Sequence, residues 1–185
     1  MSSPQMPPAE WVDELNDQGL PVRRVTRARM RAENLFHRVT LTLVLGSDGR
    51  IFIQKRTAAK DVYPSLYDVG VGGTVSAGEE FEQNAKRELA EELGVTKVPL
   101  IPLLTHRYRD PFTHSLIRIF GGTHPGPFVL QPQEVAEGVW ASPETVEELI
   151  QQNRMCPDSS EGWRLVLEKY GGLEGLLRFL ESNPV

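Results

Sequence analysis

A mixed α/β (α+β) sandwich, in which a mixed β-sheet lies between helices, is the fold the sequence predicts, and three features carry that expectation. Short β-branched runs recur along the chain, the strongest being Val39-Thr40-Leu41-Thr42-Leu43-Val44-Leu45. One long amphipathic helix, Glu80–Leu93, interrupts them, with Phe81, Ala85, Leu89 and Leu93 recurring at every fourth position. The strands are mixed with few helices rather than alternating with them, which speaks against a doubly wound parallel sheet. The 185 residues are 39% hydrophobic and 24% charged, enough to bury a core and too balanced for wholesale disorder.

Residues 1–9, rich in Ser, Pro and Met, read as a flexible leader. Residues 10–185 read as a single domain, with a core at about 36–152 and a helical extension at about 159–182. Trp11-Val12 and Pro21-Val22 with Val25 bracket the turn-rich Asn16-Asp17-Gln18-Gly19, which predicts a hairpin. A short helix over Arg27–Glu33 should follow. The strand Val39–Leu45, the turn Gly46-Ser47-Asp48-Gly49 and the strand Ile51–Gln54 form a second hairpin signal. Further short strands are expected at Tyr67–Val71, Leu100–Tyr108, His114–Phe120 and Gly138–Trp140. Ser142 caps a helix that has Pro143 at its first position, where a missing N–H costs nothing. Helices at Glu161–Tyr170 and Leu173–Glu181 flank the Gly171-Gly172 break. Their apolar side chains fit covering the sheet, closing over a pocket or building a homodimer, so both monomer and homodimer stay open.

Lys and Arg number 20 against 25 Asp and Glu, a net charge of −5, which argues against a sequence-independent grip on nucleic acid polymers or anionic membranes. An acidic chain still binds a small polyanion when metal ions neutralise the charge between them. Cys156 is the single cysteine, so an internal disulfide and a thiolate metal cage are both excluded. No stretch approaches the ~18 apolar residues of a membrane span, and the expected location is cytoplasmic.

The segment from Gly73 to Val95 is chemically unusual. Between positions 79 and 92 six glutamates face only Lys86 and Arg87. On a helical wheel Glu88 and Glu92 fall beside the buried stripe and Glu91 one step round the same side. Two carboxylates ~5 Å apart repel by roughly 3 kcal/mol at an effective dielectric near 20. A positive charge should therefore sit among them. Arg87 is expected to pair with Glu79 across the helix start, leaving Glu88, Glu91 and Glu92 without protein counter-charge. Oxygen-only donors of this kind suit Mg²⁺ or Mn²⁺, hard cations that bridge to phosphate oxygens.

This spacing resembles the Nudix box: glycine, five residues, glutamate, seven residues, Arg-Glu, an aliphatic, any residue, Glu-Glu, any residue, glycine and an aliphatic. Gly73, Glu79, Arg87, Glu88, Leu89, Glu91, Glu92, Gly94 and Val95 meet it. Seven fixed residue types at typical frequencies recur by chance on the order of 10⁻⁹ per start position. The chain therefore resembles the Nudix hydrolases, whose fold is a mixed sheet between helices and whose members cleave nucleoside diphosphates linked to another moiety. His37-Arg38, Gln54-Lys55-Arg56-Thr57, Lys60-Asp61 and Pro64 through Asp68 extend the likeness to the isopentenyl diphosphate isomerase branch. That isomerase has a cysteine next to the box glycine and a histidine after it; Gly72 and Thr74 stand there in this chain. The resemblance thus favours a pyrophosphohydrolase over an isomerase or a non-catalytic diphosphate-binding module.

It implies that Glu88, Glu91 and Glu92, with the Gly73 carbonyl, hold one to three divalent ions, that Arg87 and Glu79 join these three glutamates as catalytic residues, and that the substrate is a small diphosphate. The general base is a box glutamate or one of Glu134 and Glu137 in the loop before Trp140. Arg38, Arg56 and Lys60 are the expected phosphate clamps, with Glu134 beside the substrate. His37 reads as a buried, satisfied histidine; His106, His114 and His124 lack metal spacing. Tyr67, Tyr108, Phe112 and Phe120 read as core rather than as a stacking platform. Cys156 lies in a late loop, away from the box.

Overall fold

The computed structural model describes residues 9–183, so most of the expected leader lies outside the described residues. The chain opens with a hairpin of β1 (Trp11–Leu15) and β2 (Pro21–Thr26), turning at Asn16, whose side chain accepts the Gln18 and Leu20 N–H groups. Helix α1 (Arg27–Ala32) follows, capped by the Thr26 hydroxyl. Then come β3 (Phe36–Leu45), β4 (Ile51–Arg56) and β5 (Tyr67–Asp68), the last shorter than the expected Tyr67–Val71. Helix α2 (Phe81–Leu93) carries the glutamates. Gln83 accepts the Glu80 N–H at 3.3 Å at its start, and Gly94 in the left-handed region, φ 69°, ends it.

Strands β6 (Ile101–Arg109), β7 (His114–Thr123) and β8 (Val135–Ala141) precede three helices, α3 (Pro143–Gln151), α4 (Pro157–Tyr170) and α5 (Leu173–Ser182). Strand β8 begins earlier than expected and takes in Glu137. Helix α4 begins at Pro157 because proline at the first helical position has no N–H to satisfy, so Cys156 is its N-cap rather than part of a loop. Burial pushes the Cys156 thiol up.

The main sheet runs β5-β4-β3-β7-β6 with β8 on β4, and mixes the parallel pair β3–β7 with antiparallel neighbours. Strands β3 and β4 pair only at Leu45–Ile51 beside their turn and then diverge. The chain after Lys60 runs back into this fork, pairing Gln54 with Asp68 on one side and bridging Thr42 to Val71 and Val39 to Thr74 on the other. Glycine permits the approach. A Cβ on Gly72 would lie 1.9 Å from the Thr40 carbonyl oxygen, and one on Gly70 2.2 Å from that of Thr42.

Each face of the sheet has its own core. On one, Ala85, Leu89 and Leu93 of α2 pack on Val44, Phe52, Val71 and Phe120. On the other, Trp163, Val166, Leu176 and Leu180 of α4 and α5 cover Leu41, Leu43, Ile117 and Ile119. Of the three roles open to the C-terminal helices, covering the sheet is the one observed. Phe120 and Tyr108 are core as expected, whereas Phe112 stands 63% exposed, edge-on to Tyr63 in the β6–β7 turn. No described helix is long and apolar enough to cross a membrane.

Replacing Gly72 with Ala drives a methyl group into the Thr40 carbonyl, and the expected cost is about 1–3 kcal/mol of stability. Urea unfolding, read as a lower midpoint at unchanged slope, checks this; an unaltered midpoint would show that the fork tolerates a side chain.

Candidate active site

Helix α2 presents two faces. Its apolar stripe must lie on the sheet, and the residues flanking that stripe are drawn down with it. Glu88 and Glu92 are accordingly buried, 8% and 1% exposed, at the open end of the β3–β4 fork. Glu91, one step round, is outside, with 48% of its side chain exposed.

Gln54 on β4 donates from Nε2 to Glu92 Oε2 at 2.7 Å. The other oxygen, Oε1, is buried with no hydrogen-bond partner, and the Lys60 ammonium lies 3.9 Å from it. The Glu88 carboxylate rests on the backbone of Gly73, where a Cβ would come within 2.6 Å of Oε1. Gly73 is therefore a glycine for a local reason: any side chain would displace the acid. Its carbonyl accepts the Thr40 N–H at 3.0 Å, leaving one lone pair.

Arg87 pairs with Glu79 at 3.0 Å, as the spacing implied. It also reaches Glu88 Oε1 at 3.0 Å and Glu91 Oε2 at 2.9 Å. The expectation that the box acids lack protein counter-charge is therefore corrected for Glu88 and Glu91, because a guanidinium has enough donors to serve them together with Glu79, while Glu92 has, among the described residues, only Lys60 at 3.9 Å. Burial raises the Glu79 carboxyl, but hydrogen bonds from Arg87, Asn84 and the Ser76 N–H overcome it and hold the group at about 2. Burial outweighs Arg87 at Glu88, pushing that carboxyl up to about 7. Burial likewise raises Glu92, against the Gln54 hydrogen bond and the Lys60 charge.

An open cleft of about 770 Å³ lies against Glu88 and Glu91, lined also by Gly73, Lys60, Arg27 and Glu134, with Glu92 buried behind its wall. Lys60 and Glu134 are hydrogen-bonded across it. Glu134 is thus brought to the site, whereas Glu137 is not: it sits within β8 opposite Lys55, on the face away from Gln54, where Tyr67 reaches it at 3.3 Å. Arg38 is also absent from the cleft. It bonds Asp13 at 3.0 Å and lies over the Phe81 ring, on the α2 side of β3. Arg56 lies behind the cleft, in a chamber of about 80 Å³ shared with Asp68 and Asp158, and gives its donors to the Val62 carbonyl and Asp68.

Two cations escaped the sequence reading. Arg27 lines both spaces and Arg31 the chamber, held by Asp61 at 3.0 and 3.2 Å. Their spacing of four on α1 was the available signal. His37 is buried and pushed down to about 4, by burial first and Arg31 second; Nδ1 pairs with the Leu35 carbonyl at 2.8 Å, and Nε2 has no partner. It is only half satisfied.

Comparison with known proteins agrees with this arrangement. The NUDIX domain model matches residues 35–159, more than half of the chain. The chain belongs to the Nudix hydrolase family. It is 32% identical over 169 residues to the uncharacterised Nudix hydrolase YfcD of Escherichia coli K12, covering 91% of this chain and 93% of that one. An uncharacterised Nudix hydrolase of Yersinia pestis is 34% identical over 160 residues, covering 86% and 87%. Among solved structures, a Deinococcus radiodurans protein superposes with a TM-score of 0.72 at 25% identity, over 87% of this chain and 99% of that one. A MutT protein from Methanosarcina mazei gives 0.60 at 20% identity, over 72% and 91%, a likeness of fold. By family this Nudix chain is a pyrophosphohydrolase.

The oxygen donors suit a hard divalent ion, and the partnerless Glu92 Oε1 and the Gly73 cradle under Glu88 fit one. As the side chains stand, no three His, Cys, Asp or Glu among the described residues converge on a common point. Arg87 pairs with Glu91 at 2.9 Å on the exposed side of the helix.

The raised Glu88 and Glu92 carboxyls make the metal-free protein pH-sensitive. Below an unfolded-state value of about 4.5 both states are protonated and the stability is complete; as pH climbs from there toward about 7, the unfolded chain ionises while the buried acids stay protonated, and stability falls until the folded acids ionise too. In chelator, Glu88→Gln and Glu92→Gln are expected to flatten this decline and to unfold at higher urea than wild type at pH 8.5. Parallel wild-type and variant profiles would show that the acids ionise freely in the folded state.

Proposed function

We propose that this Nudix hydrolase cleaves the diphosphate linkage of a nucleoside diphosphate derivative, or a comparable small diphosphate, in a divalent-metal-dependent reaction in the cytoplasm. The observation that carries the reading is Glu92, whose carboxylate is 1% exposed and keeps one buried oxygen unpartnered beside a second buried acid. A buried carboxylate oxygen without a donor is costly, and a bound cation removes that cost.

In this reading Glu88, Glu92 and the Gly73 carbonyl hold Mg²⁺ or Mn²⁺, and Glu91 joins them by leaving Arg87. Bound there, the ion supplies neutralisation of the diphosphate charge, polarisation of phosphorus and a water of lowered pKa. The remaining work belongs to the chain. Lys60 and Arg27, lining the cleft, bind phosphate oxygens. Of the two loop candidates for the general base, Glu134 is the one that reaches the cleft, and it stands beside the box glutamates in that role. Arg87 and Glu79 keep the start of α2 and its acids in place. Arg38 and Arg56, spent on Asp13 and Asp68, stand outside the phosphate site.

Isomerisation is the weaker reading for a steric reason. The position that carries the isomerase cysteine is Gly72, where a Cβ would lie 1.9 Å from the Thr40 carbonyl oxygen, leaving no room for a side chain.

A panel of diphosphate-linked compounds assayed with Mg²⁺ and Mn²⁺ identifies the substrate. On the best member, Glu92→Gln should lose about 10²-fold or more in kcat, the scale of removing one electrostatic contact to a transition state. Its circular dichroism should match wild type. Full turnover in that variant would defeat the reading.

A further inference from the structure

Lys60 lines the cleft, yet its charge is already engaged by two acids. Its ammonium is hydrogen-bonded to Glu134 and lies 3.9 Å from Glu92 Oε1, a separation that is electrostatic contact without a hydrogen bond. Gln54 occupies the other Glu92 oxygen, so Oε1 is the one available to a cation.

Three chain segments are tied together to hold this geometry. Thr57, at the start of the loop bearing Lys60, donates its N–H to the Glu134 carbonyl and its hydroxyl to the Gln133 carbonyl, both at 3.0 Å. Gln131, at the head of the segment bearing Glu134, donates its N–H to the Glu92 carbonyl at 3.0 Å. The ammonium therefore sits between a helix acid and a loop acid whose backbones are linked. Lys60 has 17% of its side chain exposed and Glu92 1%, so water screens their contact poorly, whereas Glu134, 38% exposed, reaches the solvent side of the cleft.

We propose that Lys60 is a resident counter-ion of the Glu92–Glu134 pair, which a divalent metal displaces, and that the displaced ammonium then engages the diphosphate. This rests on the reading that Glu92 is a metal ligand. One ammonium and one divalent ion cannot share the Glu92 oxygen, because like charges at that separation repel strongly in a poorly solvated site. Displacement also turns Lys60 from a group spent on two acids into a free cation at the cleft wall. Metal binding and diphosphate binding are then coupled through one side chain, and by linkage the coupling is reciprocal.

The test uses Mn²⁺ alone, titrated into the full chain and followed by electron paramagnetic resonance, with wild type, Lys60→Met and Lys60→Arg compared. Lys60→Met keeps the stem and removes the competing charge. It should bind Mn²⁺ about tenfold more tightly than wild type, while Lys60→Arg stays near wild type. Inorganic pyrophosphate titrated calorimetrically should bind Lys60→Met about tenfold more weakly in the presence of Mn²⁺, with less gain from the metal than wild type shows. Unaltered or weaker Mn²⁺ binding by Lys60→Met, with circular dichroism matching wild type, would overturn the exchange and leave the metal site standing. If Glu92→Gln binds Mn²⁺ as wild type does, the metal reading fails and the exchange with it.

Discussion

Two carboxylates lie where a helix ordinarily presents apolar atoms, and most of the site is arranged around that cost. Glu88 and Glu92 are drawn under α2 by the same packing that seats Ala85, Leu89 and Leu93 on the sheet. Moving an ionised acid out of water is unfavourable unless charge and hydrogen bonds replace the lost solvent. Gln54 replaces part of it at Glu92, Arg87 part of it at Glu88, and Lys60 completes what the chain provides. The compensation is incomplete, which is why burial still dominates both acids. Incomplete compensation is what a site needs if it is to attract an ion.

The space for this comes from the sheet. Had β3 and β4 stayed paired along their length, no cleft would open above α2. They part after Leu45–Ile51, and the glycine-rich return strand fills the fork with backbone rather than side chains. Gly70 and Gly72 press against β3 while Gly73 faces α2, so successive residues serve opposite neighbours. The alternation of an extended chain thus places a backbone carbonyl and a buried acid side by side.

Basic residues of similar sequence context meet different fates. Arg38 and Arg56 follow β-strand positions and are consumed by Asp13 and Asp68, whereas Lys60 and Arg27 come from a loop and a short helix and face the cleft. Arg87 serves a structural purpose through three carboxylates, holding Glu79 far below the ordinary carboxylate range. Arg38, Arg56, Lys60 and Arg27 are all paired with an acid, so it is position on the cleft wall, and not freedom from a partner, that sets Lys60 and Arg27 apart.

Periodicity and spacing were sufficient for the order and type of the elements, though not for the bounds of β5, β8 and α4, and for the amphipathic helix, the Glu79–Arg87 pair and the burial of Glu88 and Glu92, because each depends on residues close in sequence. The hairpin turn and the Ser142-Pro143 cap are legible for the same reason. What local pattern could not decide was which distant groups would meet. That Glu134 reaches Lys60 while Glu137 turns away, that Arg38 finds Asp13, that Arg27 and Arg31 line the site, and that α4 and α5 cover the sheet all follow from strand register and from how far β3 and β4 diverge. Those quantities are set by packing between segments tens of residues apart, where a shift of one residue would send every side chain of a strand to the opposite face.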